Sequence, residues 1–306
     1  MKLLIASLFA SIIYISMSDK DDRKSLYSND QSQKPLFSFG IVSDVQYADY
    51  ERIGTRYYRS SPEKLREAMT TFNNDSISFV INLGDLIDRD FGSYKSVLDI
   101  MDSSGLKVYH VAGNHDYSVD KQFKNRLPVL TPSKKGYYSF VYDKFRFICL
   151  NGNELSTYIS NNKTATKEAE RNLSVMKEKG EINAVEWNGG FSNEQIRWLK
   201  EELDDAVTAD EKVILVCHFP VAPDNVHNLL NYKAVLPLLE NYRNIIAWFN
   251  GHNHAGNYSK LNMMHFVTFK GMVETESENS FASIDVYKNK IRVRGYGREK
   301  SQILDY

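Results

Sequence analysis

Short apolar runs alternate with amphipathic stretches along most of this chain. Phe37 to Ser43 and Phe79 to Leu83 are apolar enough to be buried strands, and so are Lys107 to Ala112, Val213 to Cys217 and Ile245 to Phe249. Between them lie helix-period segments. One opens at Ser61-Pro62-Glu63, with serine as the expected N-cap, and runs to about Asn74. Another spans Tyr94 to Ser103, with Gly105 where a C-terminal cap belongs. Tyr137 to Tyr142 and Phe145 to Leu150 read as a hairpin about Asp143-Lys144. Asn162 to Gly180 reads as a charged helix, and Asn193 to Val207 as a helix opened by a Ser192/Gln195 capping box. Asn231 to Asn241 is a helix carrying Pro237, and the segment from His265 to Gly295 is rich in strands. Strands alternating with helices predict a largely parallel sheet, and the later strands a second sheet packed on it. The expected fold is a four-layer α/β/β/α sandwich of two mixed sheets flanked by helices, one domain from residue 36 to 306.

The first 35 residues differ. Lys2 precedes an uncharged run from Leu3 to Ser18, and Asp19-Lys20-Asp21-Asp22 follows. That pattern fits a signal peptide over residues 1–18, and the run is shorter than the ~20 residues of a membrane-spanning helix. No cysteine follows the run to carry a lipid anchor, and an uncleaved anchor is the alternative. Residues 19–35 are polar and aperiodic, a flexible linker. The chain is expected to be secreted or periplasmic, with no stable membrane span after cleavage.

Composition narrows the function less. The 306 residues carry a formal net charge of −1, so no electrostatic case exists for nucleic acid. The only two cysteines, Cys149 and Cys217, lie in apolar runs and read as core residues, although an exported protein would permit a disulfide. A monomer acting on a small molecule is the expected state.

The chemistry is concentrated in five segments, each following a predicted strand: Ser43-Asp44-Val45-Gln46, Gly84-Asp85, Gly113-Asn114-His115-Asp116, His218-Phe219-Pro220 and Gly251-His252-Asn253-His254. In open α/β sheets the functional crevice lies beyond the carboxyl ends of the strands, so these segments should converge. Each alone is an ordinary turn; the ordered set is not. All five carry side chains capable of holding a metal, of carboxylate, amide and imidazole type, and none carries a thiolate.

This order resembles that of the calcineurin-like metallophosphoesterases. Those enzymes usually begin with Asp-x-His, where this chain has Gln46. That departure resembles the manganese-dependent ADP-ribose/CDP-alcohol diphosphatases, as do Gly54-Thr55-Arg56-Tyr57-Tyr58-Arg59, Trp187-Asn188-Gly189-Gly190, Leu229-Leu230-Asn231-Tyr232, Gly251 to Gly256 and Glu274-Thr275. The resemblance implies two divalent cations, with Mn²⁺ expected and Mg²⁺ the other hard candidate. Asp44, Gln46, Asp85 and His254 would hold one ion, and Asp85, Asn114, His218 and His252 the other. Gln46 would bind through its amide oxygen, or else bind nothing.

His115 is implied as the catalytic group at the leaving oxygen. Asp116 would fix the tautomer of its ring, unless it is a turn residue. Arg56 reads either as a clamp on a second phosphate or as a surface arginine. Tyr57 and Tyr58 read as base-stacking or as packing residues. Purple acid phosphatases carry a tyrosine ligand where this chain has Asp88, which argues against an iron–tyrosinate centre. The implied activity is hydrolysis of the diphosphate bond in ADP-ribose or CDP-alcohols. A general phosphomonoesterase or phosphodiesterase is the alternative within the fold, and a non-catalytic metal-binding module the alternative outside it.

Overall fold

The computed structural model describes residues 34–159 and 163–306. The expected signal peptide and nearly all of the expected linker lie outside them. One compact unit runs from Leu36 to Tyr306.

Among the described residues, twelve strands form two six-stranded sheets. The first contains β1 (Phe37–Val42), β2 (Val80–Asn82), β3 (Val108–His110), β10 (Ser280–Val286), β11 (Lys290–Gly297) and β12 (Gln302–Asp305), in the order β12-β11-β10-β1-β2-β3. The second contains β4 (Tyr138–Tyr142), β5 (Phe145–Cys149), β6 (Lys212–Val216), β7 (Ile245–Asn250), β8 (Asn257–Leu261) and β9 (Met264–Thr268), in the order β4-β5-β6-β7-β9-β8. Both are mixed. β1, β2 and β3 are parallel, as are β5, β6, β7 and β9; the remaining pairs are antiparallel. The helices are α1 (Ser61–Asn74), α2 (Ser93–Ser103), α3 (Lys163–Glu178), α4 (Asn193–Thr208) and α5 (Tyr232–Leu239, with Pro237 inside).

Strand alternation explains the layers. In β6, Ile214 and Val216 join the core that includes the facing residues of both sheets, while Val213 and Leu215 join the core that includes α4 and α5. The core between the sheets is aromatic: Phe39 stacks on Phe79 at 5.2 Å and meets Phe147 edge-on at 5.3 Å. Each such ring contributes roughly 1.5–3 kcal/mol by leaving water. Cys149 belongs to the inner core and Cys217 to the outer one; both are free thiols, as the sequence suggested.

Some boundaries differ from expectation. A 3₁₀ turn, Tyr58–Ser60, runs directly into α1, so Ser60 rather than Ser61 takes the N-cap position, and it makes no capping bond. At α4 the capping box is half formed. Ser192 Oγ accepts from Gln195 N at 3.1 Å, but the Gln195 amide donates to Asn151 O and Glu154. The edge strands β8 and β12 were not expected at all.

Candidate metal centre

All five segments leave the carboxyl ends of parallel strands: β1, β2 and β3 in one sheet, β6 and β7 in the other. They meet where the two sheets' ends adjoin. The approach is close enough to require glycine. A Cβ on Gly113 would lie 2.1 Å from Asp85 Oδ1, and one on Gly251 would lie 2.1 Å from Ser43 Oγ. Asp44, Gln46, Asp85 and His252 have φ of 50°, 43°, 54° and 67°, in the left-handed region. Such conformations cost on the order of 1–3 kcal/mol each and persist where surrounding bonds impose them. Here the bonds are Asp44 N to Gly84 O at 3.1 Å and Gln46 N to Asp85 O at 2.8 Å.

Asp85 stands at the centre. Its Oδ1 accepts from His115 N at 2.7 Å; its Oδ2 lies 3.2 Å from Gln46 Nε2 and 3.2 Å from His218 Nε2. Asp44 lies to one side, with Ser43 Oγ donating to Oδ2 and His254 Nε2 at 3.3 Å from Oδ1. Ligand atoms of Asp85, His218 and His252 lie within 4.8 Å of one another on the other side.

The residues fit a pair of cations. Gln46 Oε1 and Asn114 Oδ1 are buried with no hydrogen-bond partner among the described residues. Each such orphan costs about 1–3 kcal/mol unless something satisfies it. A hard cation would satisfy both amide oxygens, and would take His218 Nε2 as well once its ring is neutral. The Gln46 amide presents its nitrogen to Asp85 and to His254 Nε2 at 3.1 Å; half a turn of that amide brings Oε1 to the same place.

The remaining polar contacts orient the rings. His218 Nδ1 donates to Leu83 O at 2.8 Å, which puts the lone pair of the neutral ring at Nε2. His254 Nδ1 donates to Glu274 Oε1 at 2.7 Å, with the same result. Burial works to lower the His218 imidazole, but Asp85 overrides it and holds the ring at about 9. Burial likewise opposes the proton on His254, and Asp44 with Glu274 overrides it, again to about 9. His252 is driven well below its ordinary value by burial and by His218 beside it. Burial acts to raise Asp85, yet His218, His115 and His252 hold it far below the usual carboxylate range.

Asp116 does not orient His115. Its carboxylate accepts from the backbone N–H groups of Asp85 (2.9 Å), Leu86 (3.0 Å) and Gly113 (2.9 Å), and from Tyr94 Oη at 2.8 Å. It ties the Gly-Asp turn to the Gly-Asn turn, because the turns present unpaired N–H groups that only an acceptor can satisfy. Asp88 stands beside the ring instead, with Oδ1 3.2 Å from His115 Nδ1. On the other nitrogen, Arg56 Nη1 lies 3.2 Å from His115 Nε2, so the arginine faces the site rather than solvent. Tyr58 is a packing residue, 1% exposed, clustered with Ala48 and Val273; Tyr57 Oη accepts from Arg52.

Several contributors had no assigned role in the sequence. The segment from Gly271 to Thr275 backs the Asp44 side: Met272 N donates to Ser43 O (2.9 Å), Val273 N to Asp44 O (3.0 Å), and Glu274 holds His254. Lys64, buried on α1, donates to the carbonyls of Met272, Glu274 and Thr275. A cavity of about 600 Å³ opens over the centre, and Arg56, His115, Trp187 and His227 line it together with Asn114 and His252. Trp187 and Glu274 lay in stretches of family resemblance, which was their only sequence signal. His227 and Lys64 had none.

Comparison with known proteins agrees with this geometry. The family model for calcineurin-like phosphoesterases matches residues 37–256. The manganese-dependent ADP-ribose/CDP-alcohol diphosphatase of Mus musculus is 32% identical over 90% of this chain and 95% of its own length. Its Homo sapiens counterpart is 32% identical over 95% and 98%. A dimetal phosphatase from Danio rerio superposes with a TM-score of 0.80 at 26% identity, covering 89% of this chain and all of that one.

Proposed function

From the premise that this chain belongs to the calcineurin-like phosphoesterase family, we infer that it is a dinuclear-metal-dependent hydrolase of nucleoside diphosphates linked to a sugar or an alcohol, of the ADP-ribose and CDP-alcohol class. One observation carries the reading. Two orphaned buried amide oxygens, Gln46 Oε1 and Asn114 Oδ1, belong to residues that share one centre with Asp85, and Asp85, His218 and His252 cluster there as well. We assign Asp44, Gln46 and His254 to one cation, Asn114, His218 and His252 to the other, and Asp85 to both.

When bound, the two cations supply positive charge to the scissile phosphoryl group and lower the pKa of the attacking water. The protein's part is to position and to move a proton. Arg56 and His115 face each other across 3.2 Å in the lining of the cavity. A phosphate oxygen entering there takes the guanidinium hydrogen bond, which frees His115 Nε2 to carry a proton to the leaving oxygen. Asp88 Oδ1 at Nδ1 keeps the ring turned toward that oxygen. The cavity is large enough for a nucleotide, and Trp187, 45% exposed, offers a ring face at its wall. A diphosphate has a second charged group for Arg56 to hold, which a monoester lacks.

The test is a side-by-side assay. The purified chain is stripped with a chelator, then supplied with Mn²⁺, Mg²⁺ or Zn²⁺ and given ADP-ribose, CDP-choline and p-nitrophenyl phosphate. Mn²⁺-dependent cleavage of the two diphosphates with little action on the monoester is the expected result. Cleavage of the monoester alone would move the substrate class to general phosphatases. Two bound metals with no turnover on any of the three would favour a binding module.

We propose in addition that residues 1–18 direct export, on the strength of the uncharged run after Lys2. A mature chain beginning at Asp19 outside the cytoplasm is expected; an unprocessed cytosolic chain would remove the proposal.

A further inference from the structure

The Trp187-Asn188-Gly189-Gly190 stretch enters the sequence as a point of resemblance with no role attached. We propose that Asn188 is a positioning residue that selects the nitrogen of His252 offered to the metal and fastens that ligand to the wall of the substrate cavity. The inference rests on the two-metal reading above.

Asn188 is fully buried, at 1% exposure. Its Nδ2 donates to Asn183 O at 3.0 Å and to Val226 O at 2.7 Å. Both amide hydrogens are thereby committed to carbonyl oxygens, so the atom turned to His252 Nε2, 2.9 Å away, is Oδ1. An amide oxygen only accepts. His252 Nε2 must therefore carry the hydrogen, and a neutral imidazole with hydrogen at Nε2 has its lone pair at Nδ1. Asn188 thus does for His252 what the Leu83 carbonyl does for His218 and Glu274 does for His254, with the opposite nitrogen selected.

The same side chain lies behind the cavity wall. Trp187 precedes it, and His227 follows the Val226 whose carbonyl it holds; both line the cavity. The two segments are locked together. Leu230 N donates to Gly189 O at 2.7 Å, Asn183 Nδ2 donates to Leu229 O at 3.0 Å, and Asn231 pairs with both the N–H and the carbonyl of Phe191. A Cβ on Gly189 would lie 2.2 Å from Gly152 O, so the wall has no room to slide.

The test uses the full chain, stripped and titrated with Mn²⁺, with Asn188→Ala and Asn188→Asp beside wild type. Asn188→Ala should weaken one of the two ions 10–100-fold, the usual effect of losing a ligand's hydrogen-bond partner, and leave the other unchanged. Asn188→Asp keeps an acceptor opposite Nε2 and should recover most of that loss. A merely structural Asn188 predicts the reverse order, because a carboxylate facing two carbonyl oxygens is worse than a gap, and predicts equal weakening of both ions. Superimposable wild-type and Ala isotherms, or equal weakening of both ions in Asn188→Ala, would overturn the inference. ¹⁵N spectra of histidine in the Mg²⁺-treated wild-type chain give a second reading that needs no variant. His252 should carry its hydrogen on Nε2; hydrogen on Nδ1 overturns the proposal. A wild-type chain that binds fewer than two ions defeats the two-metal reading, and the His252 tautomer still decides this one.

Discussion

The two halves of the centre are built on opposite principles. The Asp44 half is anionic: Asp44 and Glu274 flank His254, and a buried lysine, Lys64, grips the carbonyls of the segment that carries Glu274. The His252 half is backed by neutral groups, the Leu83 carbonyl at His218 and the Asn188 amide at His252. The imidazoles respond accordingly. Asp44 and Glu274 prevail over burial at His254, whereas burial and a neighbouring imidazole prevail at His252. Charge from Asp44 and Glu274 thus strengthens the first half as a cation trap, while in the second only the shared Asp85, facing His218, supplies charge.

Asp85 belongs to both halves, so its loss should have the largest effect. Asp85→Asn keeps the size of the side chain and removes the charge facing Gln46 and His218. Turnover should fall to background, and metal analysis should find fewer than two ions per chain. Near-normal activity in this variant would end the two-metal account.

Glu274→Gln strikes the anionic half alone. The amide can still accept from His254 Nδ1, but it no longer adds negative charge, and the Glu274 carboxylate is held down to about 2 by His254 against the effect of burial. Affinity for one ion should fall about 10–100-fold, as it commonly does when such a partner is lost. Paired with Asn188→Ala, this variant should reveal two separable sites in a Mn²⁺ titration. A drop at the same site in both variants would merge the halves that the geometry separates.

The halves should also share a pH response. His218 and His254 each hold a proton to about 9 in the metal-free protein, and a cation must displace it. Each ion's affinity should therefore rise about tenfold per pH unit below 9 and level off above it. The sign for folding is opposite. An imidazole raised from 6.5 to about 9 stabilises the metal-free fold fully below pH 6.5, and that contribution is lost as pH rises through 9. Chelator-treated protein should thus melt at lower temperature toward pH 9, while the Mn²⁺-loaded protein gains. Parallel melting curves for the two forms would exclude this linkage.

The same contrast explains what the sequence made legible. The candidate ligands lie in short turns that directly follow apolar strands, so strand and turn chemistry picked out the five segments, and the family resemblance then singled out Asp44, Gln46, Asp85, Asn114, His218, His252 and His254 within them. The groups that orient them were hidden. Glu274 follows His254 by 20 residues, and Asn188 precedes His252 by 64. Such pairs form only in the folded chain, and the stretches of family resemblance that contain Asn188 and Glu274 gave them no role. Asp116 and Asp88 show the limit most directly. Both are acids near a metal turn, and only the fold decides which accepts backbone N–H groups and which faces His115. The missed strands have the same origin: Asn257–Leu261 and Gln302–Asp305 are edge strands with little apolar alternation, fixed by pairing with β9 and β11.

Gln46 is where the anionic half departs most from its family's usual ligand, and there the smallest effect is expected. Its side chain already reaches Asp85 Oδ2 and His254 Nε2, so the position is within reach of the ion that Asp44 and His254 would hold. An amide oxygen is a hard, neutral ligand; an imidazole nitrogen is softer and binds Zn²⁺ well. Gln46→His should therefore retain two ions and shift the preference of one from Mn²⁺ toward Zn²⁺. A change of about tenfold in the ratio of affinities would match the 1.4 kcal/mol scale of one ligand exchanged among four. The shift should appear at the site weakened by Glu274→Gln and not at the one weakened by Asn188→Ala. An unchanged metal profile would mean that Gln46 is no ligand, and would leave the anionic half to Asp44, Asp85 and His254.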